Sequence, residues 1–124
     1  MLSRSLRLST ACCLTQPAVY EVAIQFNDKT IGKKYFRWLS DHHVKEVLNF
    51  QGFVSAELLT TYVNKSACPE EGIVVRYTLE SPSVFDDYDK SDIAKKLRAD
   101  ALGLFKDKFT ASRRILVSEE VVHK

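Results

Sequence analysis

Residues 53–80 read FVSAELLTTYVNKSACPEEGIVVRYTLE, two strand-like runs on either side of a breaker-rich centre. Phe53 to Val63 and Gly72 to Glu80 are rich in β-branched and aromatic residues, and NKSACPEEG between them carries the Asn, Pro and Gly of a loop. The pair reads as an antiparallel hairpin in the middle of the chain. On its N-terminal side a segment from about Asp28 to Phe50 places Phe36, Leu39, His43, Val47 and Phe50 at helical spacing, with Asn27 or Asp28 as N-cap and Gly52 as stop. Before that, Val19 to Phe26 alternates, with Tyr20, Val22, Ile24 and Phe26 on one side. On the C-terminal side, Ser83 with Asp86 three residues on matches a helix start. Ala94, Leu97, Ala101, Leu104 and Phe105 supply a core stripe that runs to about Lys108. Phe109 to Val117 closes the chain as a strand before a short charged tail.

The order strand, helix, strand, strand, helix, strand, joined by right-handed crossovers, specifies an α+β fold, the ferredoxin-like βαββαβ plait. Its four-stranded antiparallel sheet carries both helices on one face. The other face is left uncovered. Alternation assigns to it Val19, Glu21, Ala23 and Gln25, then Phe53, Ser55, Glu57 and Leu59, then Val74, Arg76 and Thr78, and finally Arg114 with Leu116. That face is too apolar for bare water yet holds Glu21, Glu57, Arg76 and Arg114, so coverage by a second subunit is expected, with the charges paired across the join or lining a cavity.

A chain of 124 residues has room for one domain with one core. Hydrophobic content of 45% against 27% charged residues is ordinary globular composition, and no apolar stretch approaches the roughly 20 residues that span a bilayer. The first acidic residue is Glu21. The leader before it, MLSRSLRLSTACCLTQ, carries two arginines, three serines and two threonines, the composition of a mitochondrial transit peptide. Arg7, Ser9 and Thr10 interrupt every apolar run a secretory signal would need. The division expected is therefore a transit peptide over 1–16 and a single domain over 17–124, placed in the mitochondrial matrix or on the matrix side of the inner membrane. Removing Arg4 and Arg7 lowers the basic count from 18 to 16, which balances the 16 acids and argues against a nucleic-acid footprint. With Cys12 and Cys13 in the leader, Cys68 has no disulfide partner in the remaining domain.

Trp38, Leu39, His43, Val44 and Val47 in the first helix form a pattern with Gly52 and Phe53, Arg76 and Tyr77, Tyr88, Leu97 and Arg98, Phe105, Phe109 and Arg113 to Leu116. In this pattern, over roughly Tyr20 to Ser118, the chain resembles the uncharacterised domain of unknown function 4286. The resemblance implies a dimeric α/β-barrel arrangement with sheet-to-sheet pairing, and it implies no activity. The N-terminal leader and the hairpin loop around Asn64 to Glu71 depart from the short bacterial pattern and point to an organellar relative.

No compact catalytic motif is present: no GxSxG, no phosphate-cradling glycine loop, no cysteine with a plausible histidine partner. His42 and His43 point about 100° apart on a helix and do not converge on one ion, so no metal is expected, and no cofactor. His43 falls on the core stripe and reads as a histidine held within the domain. Asp86, Asp87, Asp89 and Asp92 read as first-turn acids of the second helix, and Lys95, Lys96, Arg98, Lys106, Lys108, Arg113 and Arg114 as a solvated basic face. The aromatics with which an RNA-recognition sheet stacks bases are absent from the open face.

The expectation is thus a noncatalytic structural or interaction protein of the mitochondrion, more a non-enzyme than an enzyme. Its partner would be itself, as a sheet-to-sheet homodimer, or a larger mitochondrial complex. The alternative is a small-molecule or cofactor-free enzymatic pocket, between sheet and helices or between dimer halves, with Arg76 holding an anionic group and Glu21, His43 or Tyr77 handling protons. Interface or pocket candidates are Glu21, Gln25, Glu57, Arg76, Arg114, His43 and Tyr77.

Overall fold

A computed structural model describes residues 16–124, so the expected transit peptide lies outside the described residues apart from Gln16. Four strands, β1 (Ala18–Phe26), β2 (Phe53–Val63), β3 (Ser66–Leu79) and β4 (Phe109–Val117), form one antiparallel sheet in the order β2-β3-β1-β4. With helical segments after β1 and after β3, this is the expected ferredoxin-like plait. The core lies between sheet and helices. Ile24, Ile73, Val75 and Leu79 from the strands meet Leu39, Val47, Leu97 and Phe105 from the helices, all 5% exposed or less.

The first helical segment is longer in parts than one regular helix. A 3₁₀ turn (Lys29–Ile31), capped by Asp28 whose side chain accepts from the Thr30 amide, leads into α1 (Gly32–Trp38). A π-turn (Leu39–His43) follows and then α2 (Val44–Val47). The Val44 amide bonds the Leu39 carbonyl five residues back, which inserts one extra residue into the turn. The buried positions are accordingly Tyr35, Leu39, Val44 and Val47, spaced four, five and three. An uninterrupted 3.6-residue period misses Tyr35 and Val44 and overstates Phe36.

The second helical segment is broken. Pro82 begins α3 (Pro82–Lys90) with Ser81, not Ser83, at the N-cap. Ser91 is extended, and its hydroxyl accepts from the Ala94 amide to start α4 (Asp92–Phe105). Asp86, Asp87 and Asp89 therefore lie within α3 rather than in a first turn, and Leu104 is 59% exposed, off the core stripe.

Two irregularities in the hairpin correct the sequence reading. The strands turn at Asn64 and Lys65, both at positive φ, as a two-residue hairpin of the type the right-handed twist favours. The expected loop is thus largely strand, with residues 69–72 bulged between the Thr61–Cys68 and Thr60–Ile73 pairs. Pro69, which has no N–H for the ladder, sits in that bulge. A second bulge separates the Phe53–Leu79 pair from the Ser55–Thr78 pair. It turns Phe53 from the expected open face onto the core face, edge-on to Tyr20, Tyr77 and Tyr88.

Candidate functional site

The register lines up the four expected charges in one row across the open face. Glu57 on β2 pairs with Arg76 on β3, Arg76 with Glu21 on β1, and Glu21 with Arg114 on β4. Arg76 Nε donates to Glu21 Oε1 at 2.9 Å and Arg114 Nε to Oε2 at 2.8 Å. Glu21 is only 6% exposed, although it stands on the outer face, because the two guanidiniums lie over it. Hydrogen bonds from Arg114 first, then Arg76, hold its carboxyl below the usual carboxylate range. Rows of half-buried small and apolar side chains flank it, Val19 and Leu116 on one side, Ala23, Val74 and Leu59 on the other. Gln25 is exposed at the far end of β1.

The helix-facing side of the same strands holds a cavity of about 380 Å³. Its floor is Tyr20, Val22, Ile24, Val75 and Tyr77 of β1 and β3, its roof Tyr35, Leu39, His43 and Val47 of the first helical segment with Tyr88, Arg98 and Ala101 of α3 and α4. Leu102 and Arg113, both exposed and both lining it, mark its mouth on the β4 side. Size and aromatic lining are those of a small-molecule site.

Its polar groups are few. Tyr20 is 3% exposed, and its hydroxyl accepts from Arg113 Nε at 3.2 Å and from Arg98 Nη2 at 3.4 Å. Arg98 also pairs with Asp89 at 2.8 Å and lies over the Tyr88 ring, 5.8 Å from its centroid. Burial pushes the Tyr35 and Tyr77 hydroxyls well above the ordinary phenol value and Tyr88 up to about 12, so all three stay protonated.

His43 closes the π-turn and stacks on Trp38, ring centroids 4.5 Å apart. Its Nδ1 is buried without a hydrogen-bond partner among the described residues. Burial lowers its pKa to about 4; Asp100 opposes the shift and Arg113 adds to it. At neutral pH His43 is an uncharged imidazole in a mostly apolar cavity, with a ring nitrogen free to accept a hydrogen bond from a bound molecule.

Of the residues singled out in the sequence, the structure brings His43 and Tyr77 to the cavity, and Glu21, Glu57, Arg76, Arg114 and Gln25 to the opposite face. Arg76 and Glu21 therefore stand on the face away from this cavity. Arg113, Arg98 and Tyr20, expected only as basic face and core, are the polar groups that line the cavity, with Arg113 exposed at its mouth and Tyr20 buried. The signal was present in β4: Phe109, Ala111, Arg113 and Ile115 share one parity, which puts a guanidinium on a core-facing strand position.

A family model matches residues 18–119. The chain belongs to the family described as Domain of unknown function (DUF4286). No curated protein is significantly similar to it. Among solved structures, it is similar to a conserved protein of unknown function from Bacteroides thetaiotaomicron, named a possible oxidoreductase. The TM-score is 0.60 at 9% identity, over 84% of this chain and 99% of that one. It is similar also to SnoaB, a cofactor-independent oxygenase from Streptomyces nogalater (TM-score 0.57, 11% identity, 88% of this chain and 99% of that one). A dimeric ferredoxin-like protein from an uncultured marine organism matches with TM-score 0.55 and 10% identity over 88% of this chain and 100% of that one. At such identities these likenesses establish the fold. Beside the cavity, they turn the reading away from a noncatalytic structural protein or accessory subunit of a mitochondrial complex and toward the small-molecule pocket. No helix among the described residues is long and apolar enough to cross a membrane.

Proposed function

We propose that this chain is a small-molecule enzyme of the dimeric ferredoxin-like type, working in the cavity between sheet and helices. The observation that carries the reading is a half-buried, uncharged His43, its Nδ1 buried and without a partner among the described residues, sharing one aromatic cavity with the Tyr20, Arg98 and Arg113 cluster. In this reading His43 takes a proton from an O–H or C–H of the bound molecule, the anion formed beside it raising its basicity, and the guanidiniums with the Tyr20 hydroxyl hold the negative charge left behind. The oxygenase named among the structural neighbours works without a cofactor. That agrees with a site whose own residues supply a base and an anion cradle.

Two copies meet, in this proposal, through the open sheet faces. The row Glu57, Arg76, Glu21, Arg114 alternates in sign. A two-fold axis between β3 and β1 reverses it, so that each charge faces its opposite on the partner, a self-complementary pattern suited to an isologous dimer. The leader over 1–16 is proposed as the mitochondrial address. A fluorescent protein carrying those residues reaches mitochondria if this holds and stays cytosolic if it does not.

The enzymatic reading is tested by incubating the full chain with planar hydroxylated aromatics and enolisable ketones in air and following each by mass spectrometry. Turnover that falls about a hundredfold or more in His43→Gln supports it, the loss ordinarily seen when a proton-transfer group is removed. Absence of any turned-over or bound compound across the panel contradicts it.

A further inference from the structure

The Tyr20 hydroxyl has two lone pairs and one hydrogen. Arg113 Nε and Arg98 Nη2 occupy the lone pairs, so the hydrogen is left to donate, and no carbonyl or carboxylate among the described residues receives it. Arg98 is engaged by Asp89 through Nη1, while its buried Nε has no partner among the described residues. Arg113 makes no ion pair among the described residues and bonds only through Nε. The uncommitted groups of Tyr20, Arg98 and Arg113 are thus all donors, which suits an occupant that brings an acceptor.

The charge is as one-sided as the hydrogen bonding. No carboxylate lines the cavity. Asp89 offsets Arg98, Lys96 offsets the Asp100 that acts on His43, and the charge of Arg113 remains, one net positive charge at the mouth. The remainder of the cavity is lined by aromatic and aliphatic side chains, a surface that takes a flat apolar body.

We propose that the cavity takes planar acids carrying a single negative charge, aromatic carboxylates or ionised acidic phenols and enols. Their oxyanion sits on Tyr20, Arg98 and Arg113, and their ring lies among the tyrosines. This assignment rests on the small-molecule reading above and sharpens it to one substrate class. The cluster binds the same anion whether it arrives charged or is formed at His43.

The test compares naphthoate with its neutral counterpart, naphthylmethanol, on the full chain by calorimetry or ligand-observed NMR. Naphthoate is expected to bind about tenfold more tightly or better, the worth of one charge-assisted hydrogen bond. Arg113→Gln is expected to remove that preference while leaving naphthylmethanol within about twofold, and Lys95→Gln, an equal charge change on the exposed side of α4, to alter neither. Tyr20→Phe, if it folds, should weaken naphthoate alone. Equal binding of acid and alcohol, or naphthoate affinity unchanged in Arg113→Gln, overturns the anion assignment and leaves a neutral-ligand cavity standing. Failure of both probes and of every other planar compound to bind overturns the assignment together with the small-molecule reading.

Discussion

Arg113 and Arg114, neighbours on β4, serve opposite faces of the sheet: Arg113 Nε donates to the Tyr20 hydroxyl on the cavity side, and Arg114 Nε to the Glu21 carboxylate on the open side. Their acceptors are neighbours too, on β1. The two-residue repeat of a strand thus separates, within one pair of adjacent dipeptides, a ligand-facing cluster from an interface-facing one. Disturbing one should leave the other.

Self-association tests the open side. Arg114→Glu and Glu57→Arg, each alone, place like charges together in the proposed dimer and should weaken it at least about tenfold, whereas the double exchange should restore much of the loss. Arg113→Gln should leave association unchanged. Sedimentation of all four variants checks this. A monomeric wild type, or a double exchange no better than either single one, argues against the sheet-to-sheet pairing.

Acid stability tests the burial of His43. Its folded pKa of about 4 lies below the ordinary 6.5, so between these values the unfolded chain binds a proton that the folded chain does not. Stability from this group is therefore complete above about pH 6.5 and lost as pH falls toward 4, a change on the order of 3 kcal/mol. His43→Gln should flatten the fall in denaturation midpoint between pH 7 and pH 4. Identical slopes for wild type and variant would place His43 in water. Trp38, the one tryptophan, stacks on His43 and gives an independent reading: its emission should titrate near 4 while circular dichroism still reports the fold.

Two glycines make opposite predictions from local space. A Cβ on Gly32 would lie 2.3 Å from the Glu70 Cα, so Gly32→Ala must push α1 off the β3 bulge and should cost about 1–3 kcal/mol. A Cβ on Gly103, in the exposed run of α4, would meet nothing within 4 Å beyond its own helix backbone. Gly103→Ala should therefore stabilise by about 0.5–1 kcal/mol, the helix preference of alanine over glycine. Thermal unfolding of both variants decides it.

Alternation and helical spacing made the plait and the charged row legible, because each strand residue's face follows from its parity. Parity places Glu21, Glu57, Arg76 and Arg114 on one face from four separate strands, and the register joins them. The bulge that turns Phe53 inward, the π-turn that promotes Tyr35 and Val44 to the core, and the Ser91 break shift that phase by local hydrogen bonds, which periodicity does not record. The cavity was illegible for a different reason. Arg98 and Arg113 lie far apart in sequence amid other basic residues, and only tertiary packing shows that they share the Tyr20 hydroxyl.

Occupancy of the cavity is the central claim, and Ala101, 7% exposed on its α4 wall, offers the most direct test. Thermal unfolding of wild type and Ala101→Phe would be followed against a panel of planar aromatic compounds, acidic and neutral. Some compounds are expected to raise the wild-type midpoint by several degrees, roughly the effect of 100-fold excess over Kd, and Ala101→Phe, by filling the cavity, to abolish the rise. Rises of equal size in both proteins would put binding elsewhere, and no rise in the wild type would contradict the claim outright.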